Sequence, residues 1–84
     1  MVTIEKLIQD YQEERQFLED LKAQGETDVD FDTWDFRSQK QVEEDELNGV
    51  EYDAEVTIDV AISIIDKSIA EMQLPNANPE DFNY

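Results

Sequence analysis

The chain has 84 residues, of which 23 are acidic, six are basic and none is cysteine or histidine, for a net charge of −17. The absence of cysteine excludes a disulfide framework, a thiolate nucleophile and a zinc–thiolate site. The charge argues against nucleic acid and anionic membrane surfaces as direct ligands, because their phosphates would repel it.

Residues 3–24 predict an amphipathic helix. Ile4, Leu7, Ile8, Tyr11, Leu18 and Leu21 recur at three- and four-residue spacing, Thr3 can cap the start, and Gly25 stands where a left-handed residue is wanted. Arg15 interrupts the stripe, with Glu14 or Glu19 as its expected partner. Residues 26–32 then read as an acidic extended segment, in which Asp28, Asp30 and Asp32 alternate with Val29 and Phe31. Asp32 is the expected N-cap of a second helix, 33–48, with Asp35 as the reciprocal acid and Phe31 with Phe36 as a hydrophobic staple. Gly49 stops it. Its apolar stripe is thin (Phe36, Val42, Leu47), so this helix should face mostly solvent.

From Val50 onward two periods compete. Val50, Tyr52, Ala54, Val56, Ile58, Val60, Ile62 and Ile64 alternate as in a strand, and Asn48-Gly49 before them is a common hairpin turn. Ala54, Ile58, Ala61, Ile62, Ile65, Ile69 and Met72 form a helical stripe that outlasts the alternation, which fails at Ile65. The longer pattern favours a third helix over 53–73, capped by Asp53. A strand over 50–58, giving an α+β fold, is the alternative.

Val56, Val60 and Ile64 occupy a neighbouring face of that third helix. An apolar surface so wide must be central in the fold or covered by a second copy, which makes these three the candidate face of a homodimer. Residues 75–84, with Pro75 and Pro79, read as a C-terminal tail from which Phe82 and Tyr84 can dock back. The expectation is a mainly α fold, a small bundle of about three helices, in one acidic domain over 1–84. No signal-peptide pattern or long apolar run is present, so a cytoplasmic location, the host cytoplasm for a viral protein, is the expected one.

The charge is unevenly placed. Between Glu26 and Asp59 there are thirteen acids and two bases, Arg37 and Lys40, so this segment carries −11 of the total. A surface built only for solubility mixes both signs, and one-signed crowding costs stability through self-repulsion. A strongly basic partner surface explains it better, and the most basic surfaces in a cell are those that hold DNA or RNA. Alternate residues of an extended segment point the same way about 6.6 Å apart, and residues four apart on a helix are separated by about 6 Å. Either arrangement presents carboxylates in rows comparable to successive phosphates of one strand. The candidate phosphate-mimicking residues are Asp28, Asp30, Asp32, Asp35, Glu43, Glu44, Asp45, Glu46, Glu51, Asp53 and Glu55. Exposed ion pairs are each worth only about 0–1 kcal/mol, so an apolar anchor is needed as well. Trp34, flanked by Phe31 and Phe36, is the candidate, with packing into the core as the competing role.

Other chemistry is poorly supported. Asp28, Asp30 and Asp32 occupy the first, third and fifth places of an EF-hand-like loop, but Thr33 replaces the glycine at the sixth and Gln39 the glutamate at the twelfth. No metal or other cofactor is expected. With no histidine, no glycine-rich phosphate loop and no paired nucleophile, an enzyme is not expected either. In size and charge the chain resembles phage-encoded DNA-mimic inhibitors, which block restriction, CRISPR or repair machinery; no motif adds to that likeness. It implies an inhibitor that occupies the groove of a basic nucleic-acid-binding protein. The rivals are a helical adaptor or assembly protein that uses its last helix as interface, and an antitoxin to a basic toxin.

Overall fold

Thr3 opens the first helix, α1 (Ile4–Ala23), by accepting a hydrogen bond from the Lys6 N–H at 3.2 Å, which satisfies one of the orphan donors of a helix start. At the other end Gly25 takes φ +95°, and the Glu26 and Gly25 N–H groups return to the Leu21 and Lys22 carbonyls at 3.0 and 3.1 Å. That closure needs a left-handed residue. The computed structural model describes residues 3–82, the side chains of 81 and 82 excepted. The docking expected of Phe82 and Tyr84 therefore lies outside the described residues.

After α1 come β1 (Asp28–Asp30), α2 (Phe31–Trp34), α3 (Gln39–Asn48), β2 (Glu55–Thr57), α4 (Ile58–Met72) and a 3₁₀ turn, Pro79–Phe82. The fold is mainly α, as expected, with four α-helices and one two-stranded antiparallel sheet among the described residues.

Two of the predicted helices have different bounds, each for a physical reason. The helix expected over 33–48 is broken at 35–38, where Asp35 leaves helical geometry (φ −32°, ψ 102°). Trp34 and Phe36 both pack on the core between α1 and α4, with ring centroids 6.4 Å apart. Residues two apart in a helix do not face each other; an extended link lets both rings turn inward. Asp30, not Asp32, caps the short first piece through the Asp32 N–H at 3.1 Å. Ser38 caps the second through the Gln41 N–H at 3.1 Å. Gly49 ends α3 in a left-handed cap (φ +71°), so Asn48-Gly49 is a helix stop and not a hairpin turn.

The helix expected over 53–73 divides at Thr57. Residues 55–57 are strand, and the Thr57 hydroxyl accepts from the Val60 N–H at 3.2 Å to begin α4. The strand's partner is the acidic extended segment: Asp28 pairs with Thr57, Val29 with Val56 and Asp30 with Glu55. The Phe31 N–H to Ala54 and Ile58 N–H to Thr27 bonds, at 2.8 and 3.0 Å, extend the ladder at both ends. Both competing periods were thus real, one handing over to the other.

The main core lies between α1 and α4, where Leu7, Tyr11 and Leu18 meet Ile58, Ala61, Ile65 and Met72. Burying each large aliphatic side chain contributes about 1.5–3 kcal/mol. A smaller cluster sits under the ribbon, built from Phe31, Val56 and Ile64 with Tyr52 and Val60 packed beside them. This corrects the candidate dimer face: Val56 and Ile64 are buried, and Val60 half-buried, by the chain's own aromatic residues. The apolar breadth of α4 is accounted for by a central place in the fold.

Candidate functional site

In the β1–β2 ribbon successive side chains alternate between faces. Val29 and Val56 turn toward the core, while Asp28, Asp30 and Glu55 are exposed. Asp30 is directly opposite Glu55, which sets their Cβ atoms about 4.5–5.5 Å apart. Asp32 on α2, Glu51 and Asp53 in the connection to β2, and Glu43 and Glu46 on α3 are exposed too, and Glu44 is half-buried.

Four of the chain's six bases are spent elsewhere. Arg15 holds Asp66 and Glu19 at 2.7 and 2.6 Å, Lys22 holds Asp59 at 2.7 Å, and Lys6 holds Asp10 at 3.0 Å. Arg37 holds Asp35 at 2.9 Å and Asp45 at 3.1 Å. None of the ion pairs among the described residues reaches Asp28, Asp30, Asp32, Glu43, Glu46, Glu51, Asp53 or Glu55.

Asp45 is different from its neighbours. It is only 3% exposed, accepts from Gln41 Nε2 at 2.7 Å and pairs with Arg37. It is an internal counter-ion and is removed from the candidate phosphate-mimicking set. Asp35 is also committed, since it grips Arg37 through Nε at 3.0 Å and Nη2 at 2.9 Å. The Arg37 guanidinium lies 4.9 Å from the centroid of the Phe31 ring and 5.4 Å from that of Tyr52. Its pKa is raised above the ordinary value, first by the Asp35 hydrogen bonds, with burial opposing and Asp45 adding. Burial pushes the Tyr52 hydroxyl up, with the Asp45 charge adding and Arg37 opposing.

Of the three candidate anchor residues Phe31 is buried, and Trp34 and Phe36 are half-buried in the competing role of core packing. Phe31 is buried in the smaller cluster, Phe36 packs edge-on against Tyr11 at 4.9 Å, and Trp34 donates its indole N–H to Glu14 at 2.8 Å. These three fasten the acidic segment to the core. The exposed large apolar residues of this region are Leu47, 87% exposed although it was placed on the helix's apolar stripe, and Val50, 41% exposed. The inward stripe of α3 is instead polar, made of Ser38, Gln41 and Asp45. Ser38, Gln41 and Asp45 do recur at helical spacing, a signal hidden because polar residues are not sought on a buried face.

A second carboxylate environment lies between α3 and α4. Glu71 Oε2 is buried without a hydrogen-bond partner. Burial, and then the charge of Glu44, raises the Glu71 pKa above the ordinary carboxylate range, with Lys40 and Lys67 opposing.

Among the described residues no group of three or more acids could hold a metal ion, and no helix is long and apolar enough to cross a membrane. Comparison with protein-family models, curated proteins and solved structures returned no match.

Proposed function

We propose that the protein is an acidic mimic of nucleic acid that occupies the phosphate-binding groove of a basic nucleic-acid-binding protein and blocks it, without catalysis or cofactor. The observation that carries this reading is the opposition of Asp30 and Glu55 on the outer face of the ribbon, with Asp28 beside them and no base among the described residues paired to any of the three. Like charges directly opposite destabilise a ribbon, and threonine at either position would suit it better. A small domain has little stability to lose. Lysines and arginines of a partner, already arranged for phosphates, convert that repulsion into attraction. Arginine binds carboxylate bidentately, and charge complementarity speeds encounter. The longest dimension of the fold, 37 Å, limits the imitation to about one turn of duplex, about 34–36 Å. Enzymes of restriction or CRISPR defence are the targets that the likeness in size and charge puts first.

The adaptor alternative has less to stand on. Ile65 is fully buried against α1, and none of the exposed large apolar side chains of the described residues lies on α4.

The test is affinity capture from a nuclease-treated lysate, eluted with a salt gradient. A nucleic-acid enzyme that elutes at high salt, is displaced by added DNA or RNA, and is lost with the triple variant Asp28→Lys, Asp30→Lys, Glu55→Lys is the expected result. A partner that resists high salt and ignores nucleic acid overturns the proposal.

A further inference from the structure

The β1–β2 ladder fixes which backbone groups face outward. The Phe31 N–H bonds the Ala54 carbonyl and the Ile58 N–H bonds the Thr27 carbonyl. In this register 27 with 58, 29 with 56 and 31 with 54 are therefore the hydrogen-bonded pairs. Asp28 and Asp30 stand between them and turn their N–H and C=O groups away from β2. Glu55 and Thr57 likewise turn theirs away from β1. Neither strand has a third neighbour among the described residues. The Asp30 carbonyl accepts from the Thr33 hydroxyl at 3.3 Å. The Asp28 N–H and C=O and the Asp30 N–H take no bond from elsewhere in the described chain.

The two edges are not equivalent. β1 has a carboxylate at both of its outward-bonding positions, Asp28 and Asp30, each exposed and in none of the ion pairs among the described residues. β2 has one, Glu55, and its Thr57 is committed to capping α4. Between the two aspartates Val29 turns to the opposite face, where it packs against both apolar clusters. Along β1 the side chains thus run acid, apolar, acid beside a line of open main-chain groups. Carboxylates alone attract a cation of any shape; open donors and acceptors in line with them call for an extended chain.

We propose that the β1 edge is a docking site for an extended segment of the basic partner, which adds as a third, antiparallel strand with lysine or arginine at alternate positions. Residues of the added strand that pair with Asp28 and Asp30 have their side chains on the same face, with Cβ atoms about 4.5–5.5 Å away. Two basic residues spaced by one meet the two aspartates, and the residue between them falls on the face of Val29. Main-chain bonds give affinity for a strand; the opposed charges select a basic one and set its register. A strand whose alternate cations, about 6.6 Å apart, otherwise face phosphates already has this pattern. The proposal rests on the reading of the protein as the occupant of a basic nucleic-acid site, and it names the element of that site which is gripped.

The experiment is an NMR titration of the full chain with two end-blocked peptides of equal charge, Lys-Val-Lys-Val-Lys and Lys-Lys-Lys-Val-Val, at about 150 mM salt, where long-range attraction is screened beyond about 8 Å. The alternating peptide is expected to bind about two- to tenfold more tightly. It should slow water exchange of the Asp28 and Asp30 amides and leave those of Glu55 and Thr57 unchanged. N-methylation of its lysines keeps every charge but blocks the main-chain bonds, and should abolish both effects. The double variant Asp28→Asn, Asp30→Asn keeps a good capping side chain at 30 and should bring the two peptides to equal affinity, with thermal melting as the check that it folds. Equal affinity of the unaltered protein for the two isomers, tolerance of N-methylation, or protection of the β2 edge in place of β1 overturns the proposal. Protection of the Asp28 and Asp30 amides that grows with protein concentration in the absence of peptide makes the occupant a second copy, and overturns it too. Lysate capture and peptide register fail independently: a DNA-displaceable partner without preference for the alternating peptide leaves mimicry standing and removes the docked strand, and the converse removes mimicry alone.

Discussion

Between α1 and α4 the contact is apolar, and the charges at its edge are matched, Arg15 with Asp66 and Lys22 with Asp59. Between Glu26 and Glu55 the apolar cluster is small, one arginine serves two aspartates, and nine exposed acids take part in none of the ion pairs among the described residues. The first region is organised for stability. The second gives up stability in a pattern, keeping its inward residues apolar or paired while its outer face carries one sign. A region that were merely loose would not place Val29 and Val56 inward so consistently, nor bury Asp45 under its counter-ion.

The sharpest way to break this comparison is at Arg37. Arg37→Met leaves Asp45 buried without its cation and should destabilise the fold by about 3–5 kcal/mol, read as a shift of the urea midpoint. Adding Asp45→Leu should recover most of that loss, because replacing both members of a buried pair by apolar groups is often close to neutral. Failure to recover would mean that Arg37 acts through its stacking on Phe31 and Tyr52 and not through the pair. Next comes Ile65→Ala, which empties a fully buried site in the α1–α4 core and should cost about 2–5 kcal/mol. Its effect should not depend on ionic strength.

The opposite sign and a clear salt dependence are expected on the ribbon. Asp30→Thr or Glu55→Thr removes a like-charge opposition and should stabilise by about 0.2–1 kcal/mol, more at low salt than at high. For the unaltered protein the melting temperature should rise with added salt; a flat response from about 10 mM to 1 M would mean that the carboxylates do not repel as their register implies. The smallest effect is expected at Glu71. Its folded-state pKa is raised, so the folded protein binds this proton more tightly than the unfolded chain. Stability from this group is therefore gained as pH falls from neutral toward the ordinary carboxylate range, and lost again as pH rises through the raised value. Glu71→Gln should stabilise at neutral pH, and the difference between the two proteins should shrink as the solution is acidified, measured by thermal melting across that interval.

Much of this was legible in the residues, and the misses have a common cause. The stripe from Ile4 to Leu21, with Thr3 and Gly25 at its ends, specifies α1 because packing, capping and turn chemistry agree. The apolar run from Ile58 to Met72 specifies α4 by packing alone, since the cap is Thr57 and not the expected Asp53. The ribbon was harder: its strands are three residues each, too short for a period to show, and each is defined only by the other. Asp45 and Glu46 are adjacent acids in one run, yet one is buried and one exposed. What distinguishes them is a guanidinium eight residues upstream, and that is a tertiary fact. Leu47 was placed on the apolar stripe of the second helix because apolar residues usually face inward; here Ser38, Gln41 and Asp45 occupy the inner face instead.

A two-stranded sheet has two open edges, and in this protein neither strand has another partner among the described residues. Unprotected edges invite a strand from another molecule. Asp28 and Asp30 on one strand and Glu55 on the other bring negative charge to any copy that approaches, so the residues read above as bait for a cation also keep the molecule from polymerising on itself. That protection is electrostatic and therefore screened by salt. At high ionic strength the edges lose part of it, and light scattering should detect strand-mediated association there and not at low salt.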